Sequence, residues 1–267
     1  MKYIDEMGHA ARVLNALKTT VKEEQIEGGV AVAYSGGIDS SIVAYLLGEH
    51  AEPNLYTVGL EDSYDLTIGE ETADYLGLPW EGIVIDEDDV INTILEICRI
   101  IPTRNPITIS FEMPLFLVVS HVRERHVYSG QGADELFAGY ARYVGMSENE
   151  LEKSVSDDLA RLLDTGLEYE RNIAMNRFKE LHYPYLHQRV IDEVRSIPVT
   201  EEFRGKERKA ALRDVARLLD MGKIADREKK AAQYGSGIMR CIRQVAKRNG
   251  MTVRAFVNTL TLQGKMP

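Results

Sequence analysis

The apolar positions of the chain repeat with two alternating periods. Between about Tyr3 and Glu24, the residues Ala10, Val13, Leu14 and Leu17 recur at helical spacing and predict an amphipathic helix. Gly28-Gly29 interrupt that pattern. The run Val30-Ala31-Val32-Ala33-Tyr34 that follows is short and unbroken, as in a strand buried on both faces. Ile42, Val43, Leu46 and Leu47 then form a helix face that Gly48 closes. The alternation continues with strands over Leu55–Gly59 and Gly82–Ile85 and a helix over Thr67–Leu76 closed by Gly77. Asp86 caps a helix over Asp88–Ile100. Pro102 and Pro106 mark an irregular crossing, before a helix over Phe111–Val122 and a short strand over Val127–Ser129. After about Ser147 the strand signals stop. Leu151–Leu163, Tyr169–Lys179, Arg208–Leu219, Ile238–Arg248 and Val253–Leu262 all read as helices.

Repeating strand–helix units imply an α/β fold: a parallel sheet with right-handed crossovers and helices on both faces. The expected organisation is one domain over 1–267. An α/β core occupies about 25–145 and a mainly helical part about 146–267. Ligands of such sheets bind at the carboxyl ends of the strands.

Composition changes this picture little. Apolar residues make up 44% and charged residues 28% of the 267, an ordinary globular profile. The two cysteines, Cys98 and Cys241, are far apart and form no metal-binding pair. No secretory or membrane-spanning segment is legible, which sets cytoplasmic localisation as the expectation. The net charge of −10 disfavours nucleic acid as a partner of the whole chain. From Arg227 onward, however, nine Lys and Arg face one acid, a segment of +8 that suits an anion or a solvated helix face equally.

Two loops carry candidate chemistry. Ser35-Gly36-Gly37-Ile38-Asp39-Ser40-Ser41 follows a predicted strand and opens a helix, where backbone N–H groups and the helix dipole converge on an anion. The glycines permit close approach and the serines donate hydroxyls. Asp39 would repel a phosphate unless a divalent cation bridges the two. The loop is neither GxxxxGK[ST] nor GxGxxG. The second, Ser129-Gly130-Gln131-Gly132-Ala133-Asp134-Glu135-Leu136-Phe137-Ala138-Gly139-Tyr140, has the same placement. Asp134 can share a magnesium ion with Asp39, and Glu135 can act as a helix-dipole partner.

The first loop resembles the SGGxDS motif of the N-type ATP pyrophosphatase (PP-loop) group, whose members cleave ATP between the α and β phosphates. The second resembles the SGEGADE-[LV]-FGGY motif of the synthetase domain of asparagine synthetases. Further stretches are similar to that domain: Tyr56–Leu60 with Ser63–Leu66, Arg171–Met175 and Pro184–Leu186. So are Lys209–Arg213, like K-x-x-L-R, and Arg227–Lys229 with Gly235–Gly237, like R-x-K-x(5)-G-x-G. The match runs from about residue 25 to 240. It implies an adenine nucleotide alpha hydrolase-like fold and an ATP-dependent C–N ligase. Such an enzyme adenylates a carboxylate, aspartate by default, and passes it to ammonia with release of AMP and pyrophosphate. The resemblance implies that Ser35, Gly36, Gly37, Ser40 and Ser41 hold pyrophosphate, and that Asp39 and Asp134 bind Mg2+. Val58 and Leu60 would flank adenine, Gly130 would lie near the sugar, and Lys229 and Gln131 would serve catalysis.

Three departures mark this chain. It opens Met1-Lys2-Tyr3, so no N-terminal glutaminase domain is expected; its amine is free ammonia, comes from a separate glutaminase subunit, or differs. Gln131 replaces the family's glutamate near the reacting amine, and an amide is no general base. His182 and His187 replace an arginine and an aspartate, implying either a changed acceptor pocket or two surface histidines; spaced five apart, they suggest no metal site. A PP-loop enzyme adenylating a tRNA base and a non-catalytic ATP-binding subunit are the alternatives. A homodimer is the possible assembly.

Overall fold

The computed structural model describes residues 2–24, 26, 28–205, 207–227 and 232–263. Helix α1 (Lys2–Glu23) precedes β1 (Val30–Ala33), α2 (Ile38–Gly48), β2 (Asn54–Leu60), α3 (Tyr64–Leu76), β3 (Trp80–Ile85), α4 (Glu87–Ile100), α5 (Pro106–His121) and β4 (His126–Ser129). The remainder comprises α6 (Ala133–Leu136), α7 (Glu148–Arg161), α8 (Leu167–Asn176), β5 (Glu180–His182), α9 (Gln188–Arg195), α10 (Ala210–Leu218), α11 (Gly222–Ala225), α12 (Ala232–Gly235), α13 (Ile238–Arg248) and α14 (Val253–Gln263).

These five strands form one parallel sheet in the order β3-β2-β1-β4-β5, and Phe203–Arg204 pairs antiparallel with Glu207–Arg208 in a separate two-stranded ribbon. Successive residues of each strand face opposite ways. Val30 and Val32 join the core beneath α1, α2 and α10, whereas Ala31 joins the core of α4, α5, α13 and α14. A sheet covered on both faces explains the unbroken apolar runs of its central strands.

The sheet builds outward from β1 to β2 and β3, then the chain returns to place β4 on the other side of β1. The carboxyl ends of β1 and β4 therefore flank the topological switch point, where helices diverge and leave a crevice. Register sets Ala33 beside Ser129, so the loops after these residues leave the sheet side by side.

Local signals hold closely. Asp86 and Asp89 form a reciprocal capping box at α4, and Gly77 ends α3 in the left-handed region with φ 66°. Two expectations are corrected. Pro106 opens α5 at its first turn, with Asn105 as N-cap, so that helix starts ahead of Phe111. Strands do not stop after Ser147: β5 pairs with β4 at the sheet edge. Among the described residues, no helix is long and apolar enough to cross a membrane.

Candidate active site

The two loops meet at the switch point because Gly130 has no side chain. A Cβ there would lie 2.9 Å from the Ser40 nitrogen and 3.0 Å from the Asp39 carbonyl carbon. Gly36 adopts φ 68°, and a Cβ on it would lie 2.7 Å from the Ile68 carbonyl oxygen. Each glycine thus answers a close approach. The first turn of α2 has no side-chain cap at Gly37, so its N–H groups keep their capacity for an anion.

Asp39 and Asp134 converge on one cation, the ammonium of Lys209. Lys209 Nζ lies 2.6 Å from Asp39 Oδ1 and 2.9 Å from Asp134 Oδ1. This lysine is 2% exposed and is the N-cap of α10 in the left-handed region, with φ 59°. Its stem passes over Gly139, where any side chain would strike both Lys209 and Asp134. A non-glycine residue held there is strained, and such strain concentrates at functional sites. In the sequence Lys209 stands out only as part of the matching stretch Lys209–Arg213.

Ser35, Gly36, Gly37 and Asp39 line a narrow cradle walled by Arg208, Lys209, Arg213 and Arg227. Arg227 donates to Glu71 Oε1 at 2.8 Å, while its buried Nη1 has no hydrogen-bond partner among the described residues. A buried guanidinium nitrogen aimed at a serine–glycine loop fits an anionic oxygen. Ser40 is buried and lines the adjoining cleft, bonding Ser35 N–H at 3.3 Å. The structure does not bring Ser41 to either cavity. Its side chain faces the core from the first turn of α2, within 3.0 Å of the Tyr34 hydroxyl.

The adjoining cleft measures about 540 Å³ and opens over β1, β2 and β4. Val58, Gly130, Gln131 and Asp134 line it. Leu60 does not; it lies at the end of β2 beneath Gly237, its N–H donating to the Ser236 carbonyl at 2.9 Å. Lys229 lies outside the described residues. Neither His182 nor His187 lines the cleft. His187 is exposed and caps α9, accepting from Arg189 N–H at 3.4 Å.

Two buried carboxylates stand beside Gln131. Gln131 Nε2 donates to Glu170 Oε1 at 2.7 Å. Glu170 on α8 and Glu112 on α5 are each 3% exposed and both line the cleft. Among the described residues, Glu112 Oε2 and Glu170 Oε2 are buried without hydrogen-bond partners. Burial raises both carboxyls well above the ordinary range; their mutual repulsion adds to the rise at Glu112, while Gln131 and the neighbouring Tyr183 hydroxyl restrain Glu170. One hint was legible: Glu112 is the one charged residue in the mostly apolar run Ile107–Val119. Glu170 carried no comparable signal. Beyond this pair, Tyr140 donates to buried Glu135.

The model of the asparagine synthase family matches residues 12–154 and 144–254. The chain belongs to the asparagine synthase family. It is 33% identical over 262 aligned positions to a provisionally named asparagine synthetase (glutamine-hydrolyzing) 1 of Methanocaldococcus jannaschii, covering 84% of this chain and 48% of that protein. It is 35% identical over 123 positions to an asparagine synthetase (glutamine-hydrolyzing) of Triphysaria versicolor, covering 41% and 21%. The chain thus spans about half the length of the first relative and less of the second. Among solved structures, an NMN synthetase from Francisella tularensis aligns at a TM-score of 0.46 and 14% identity, over 97% of this chain and 94% of that one. An NH3-dependent NAD synthetase from Campylobacter jejuni aligns at 0.34 and 17%, over 73% and 93%.

Proposed function

We propose that this family member is an ATP-dependent amide-forming ligase that adenylates a small carboxylate, with aspartate the default. The convergence of Asp39 and Asp134 on Lys209, beside an arginine-walled serine–glycine cradle, carries this reading. A carboxylate oxygen of the substrate attacks the α-phosphorus, the α–β phosphoanhydride bond breaks, and pyrophosphate leaves into the cradle. An amine nitrogen then attacks the acyl carbonyl, AMP departs, and the nitrogen loses a proton. Two convergent carboxylates are hard oxygen donors that fit Mg2+ shared with phosphate oxygens. Such an ion would supply charge neutralisation at the phosphates. Lys209 is a fixed cation within reach of the same phosphates.

The amine side of the reaction belongs to Gln131, Glu170 and Glu112. Glu170 accepts the proton from the attacking nitrogen, and Gln131 orients its carboxylate. Val58 lies along the nucleotide's path in the cleft. Ammonia enters free or from a separate glutaminase partner.

The test is formation of AMP and pyrophosphate from ATP and magnesium, with aspartate, ammonium and tRNA each added or omitted. Aspartate-dependent AMP, with asparagine accumulating only when ammonium is present, is the expected result. Pyrophosphate release that needs tRNA instead moves the chain to RNA modification. ATP binding with no pyrophosphate release under any condition makes it a nucleotide-binding subunit.

A further inference from the structure

At the sheet edge, away from both loops, three donor atoms converge that lie far apart in sequence. Parallel pairing sets His126 beside Glu180 and Tyr128 beside His182. Residues two apart on a strand share a face, so His126, Glu180 and His182 project to the same side. His126 Nδ1 lies 3.0 Å from His182 Nε2 and 3.4 Å from Glu180 Oε2. All three ligand atoms fall within 4.8 Å of one another. Donors in a tetrahedral shell with metal–ligand bonds of about 2.0–2.1 Å stand about 3.3 Å apart. Both spacings from His126 already stand near that value.

The surroundings suit a ligand set. His182 turns its other nitrogen, Nδ1, toward Glu24 Oε2 at 3.7 Å, and that oxygen is buried without a hydrogen-bond partner among the described residues. A carboxylate behind a ligating imidazole fixes its tautomer and raises its basicity. The Tyr128 ring stacks on His182 with centroids 4.6 Å apart and holds its plane. Arg125 pairs with Glu180 Oε1, leaving Oε2 directed at the histidines.

We propose that His126, His182 and Glu180 bind one divalent transition metal of the zinc class, with water as fourth ligand, and so pin the edge strand β5 to β4. Two imidazoles and one carboxylate favour zinc-like ions over magnesium or calcium. The site is structural. Immediately after β5, Tyr183 adjoins Glu170, and the Tyr185 hydroxyl donates to the Asp39 carbonyl at 3.0 Å. An ion at β5 would therefore steady the segment that backs both catalytic loops.

The experiment strips the intact chain with a chelator, dialyses it against zinc chloride, and measures bound metal and melting temperature. Cobalt(II) serves as a spectroscopic reporter. The expected result is one zinc per chain, a raised melting temperature, and the intense visible bands of four-coordinate cobalt. His126→Ala with His182→Ala should abolish stoichiometric binding; the milder Glu180→Gln should weaken it at least tenfold and keeps the test open if the double variant fails to fold. No stoichiometric zinc in the wild-type chain overturns the proposal. So does zinc retained by a folded double variant, or zinc lost instead on Asp39→Asn.

Discussion

Gln131 donates an amide N–H to Glu170 at 2.7 Å, joining the loop after β4 to a carboxylate on α8. The neutral amide of the loop is thereby coupled to a carboxylate supplied by a helix 39 positions further on. Functional chemistry at one point of a cleft needs a group at that point, not at one place in the chain.

Replacing Glu170 by Gln keeps the shape and removes the proposed base. Aspartate-dependent ATP–pyrophosphate exchange should stay within about threefold, while amide formation falls by about 10²–10⁴. Steady-state rates of both half-reactions check this. An equal fall in both would make Glu170 structural.

The same carboxyl sets a pH dependence. Burial holds it above the ordinary carboxyl range, with Glu112, Glu135, Arg171, Tyr183 and Gln131 around it. A base works only when deprotonated, so amide formation should rise with pH through a limb lying above about 4.3, the unperturbed glutamate value. Glu170→Gln should lose that limb. A wild-type profile flat from pH 5 to 8 counts against the assignment.

Lys209→Met would leave Asp39 and Asp134 facing each other without their buried cation. Breaking one side of a buried ion pair costs about 3–5 kcal/mol. Denaturant midpoints should fall accordingly, and AMP formation should be lost. Lys209→Arg should not restore activity, since a planar guanidinium does not replace the compact ammonium held between Asp39 and Asp134.

Glu202 is 1% exposed, and burial pushes its carboxyl up to about 8, against the opposing Ala211 N–H, Lys209 and Arg204. The folded chain thus keeps a proton that the unfolded chain releases from the ordinary carboxyl range upward. Stability should fall as pH rises toward about 8, by at most about 1.4 kcal/mol per pH unit for one proton. Urea unfolding across pH 5–9 measures the slope, and Glu202→Gln should flatten it.

Gly130→Ala tests the contact between the loops. Its Cβ would meet the Ser40 nitrogen at 2.9 Å, so the loops must part. A loss of about 1–3 kcal/mol is expected, with a raised KM for ATP. An unchanged melting temperature and KM would mean that the loops close without that contact.

What the sequence by itself determined is local. Strands β1 to β4, the caps at Asp86 and Gly77, and both glycine loops were legible because period, capping and turn chemistry depend on neighbours within a few residues. The tertiary structure decided the rest. Strand β5 has three residues, Glu-Leu-His, too few to show a period, and exists because β4 offers it an edge. Lys209 becomes a site residue only when α10 is laid against the loops that carry Asp39 and Asp134. Glu170 reads as an ordinary helical acid, and Glu112 as a lone charge in an apolar run, until α5 and α8 close on Gln131 and bury both. A buried charge is costly and therefore informative, but burial is a property of packing, and packing joins residues that the chain keeps far apart.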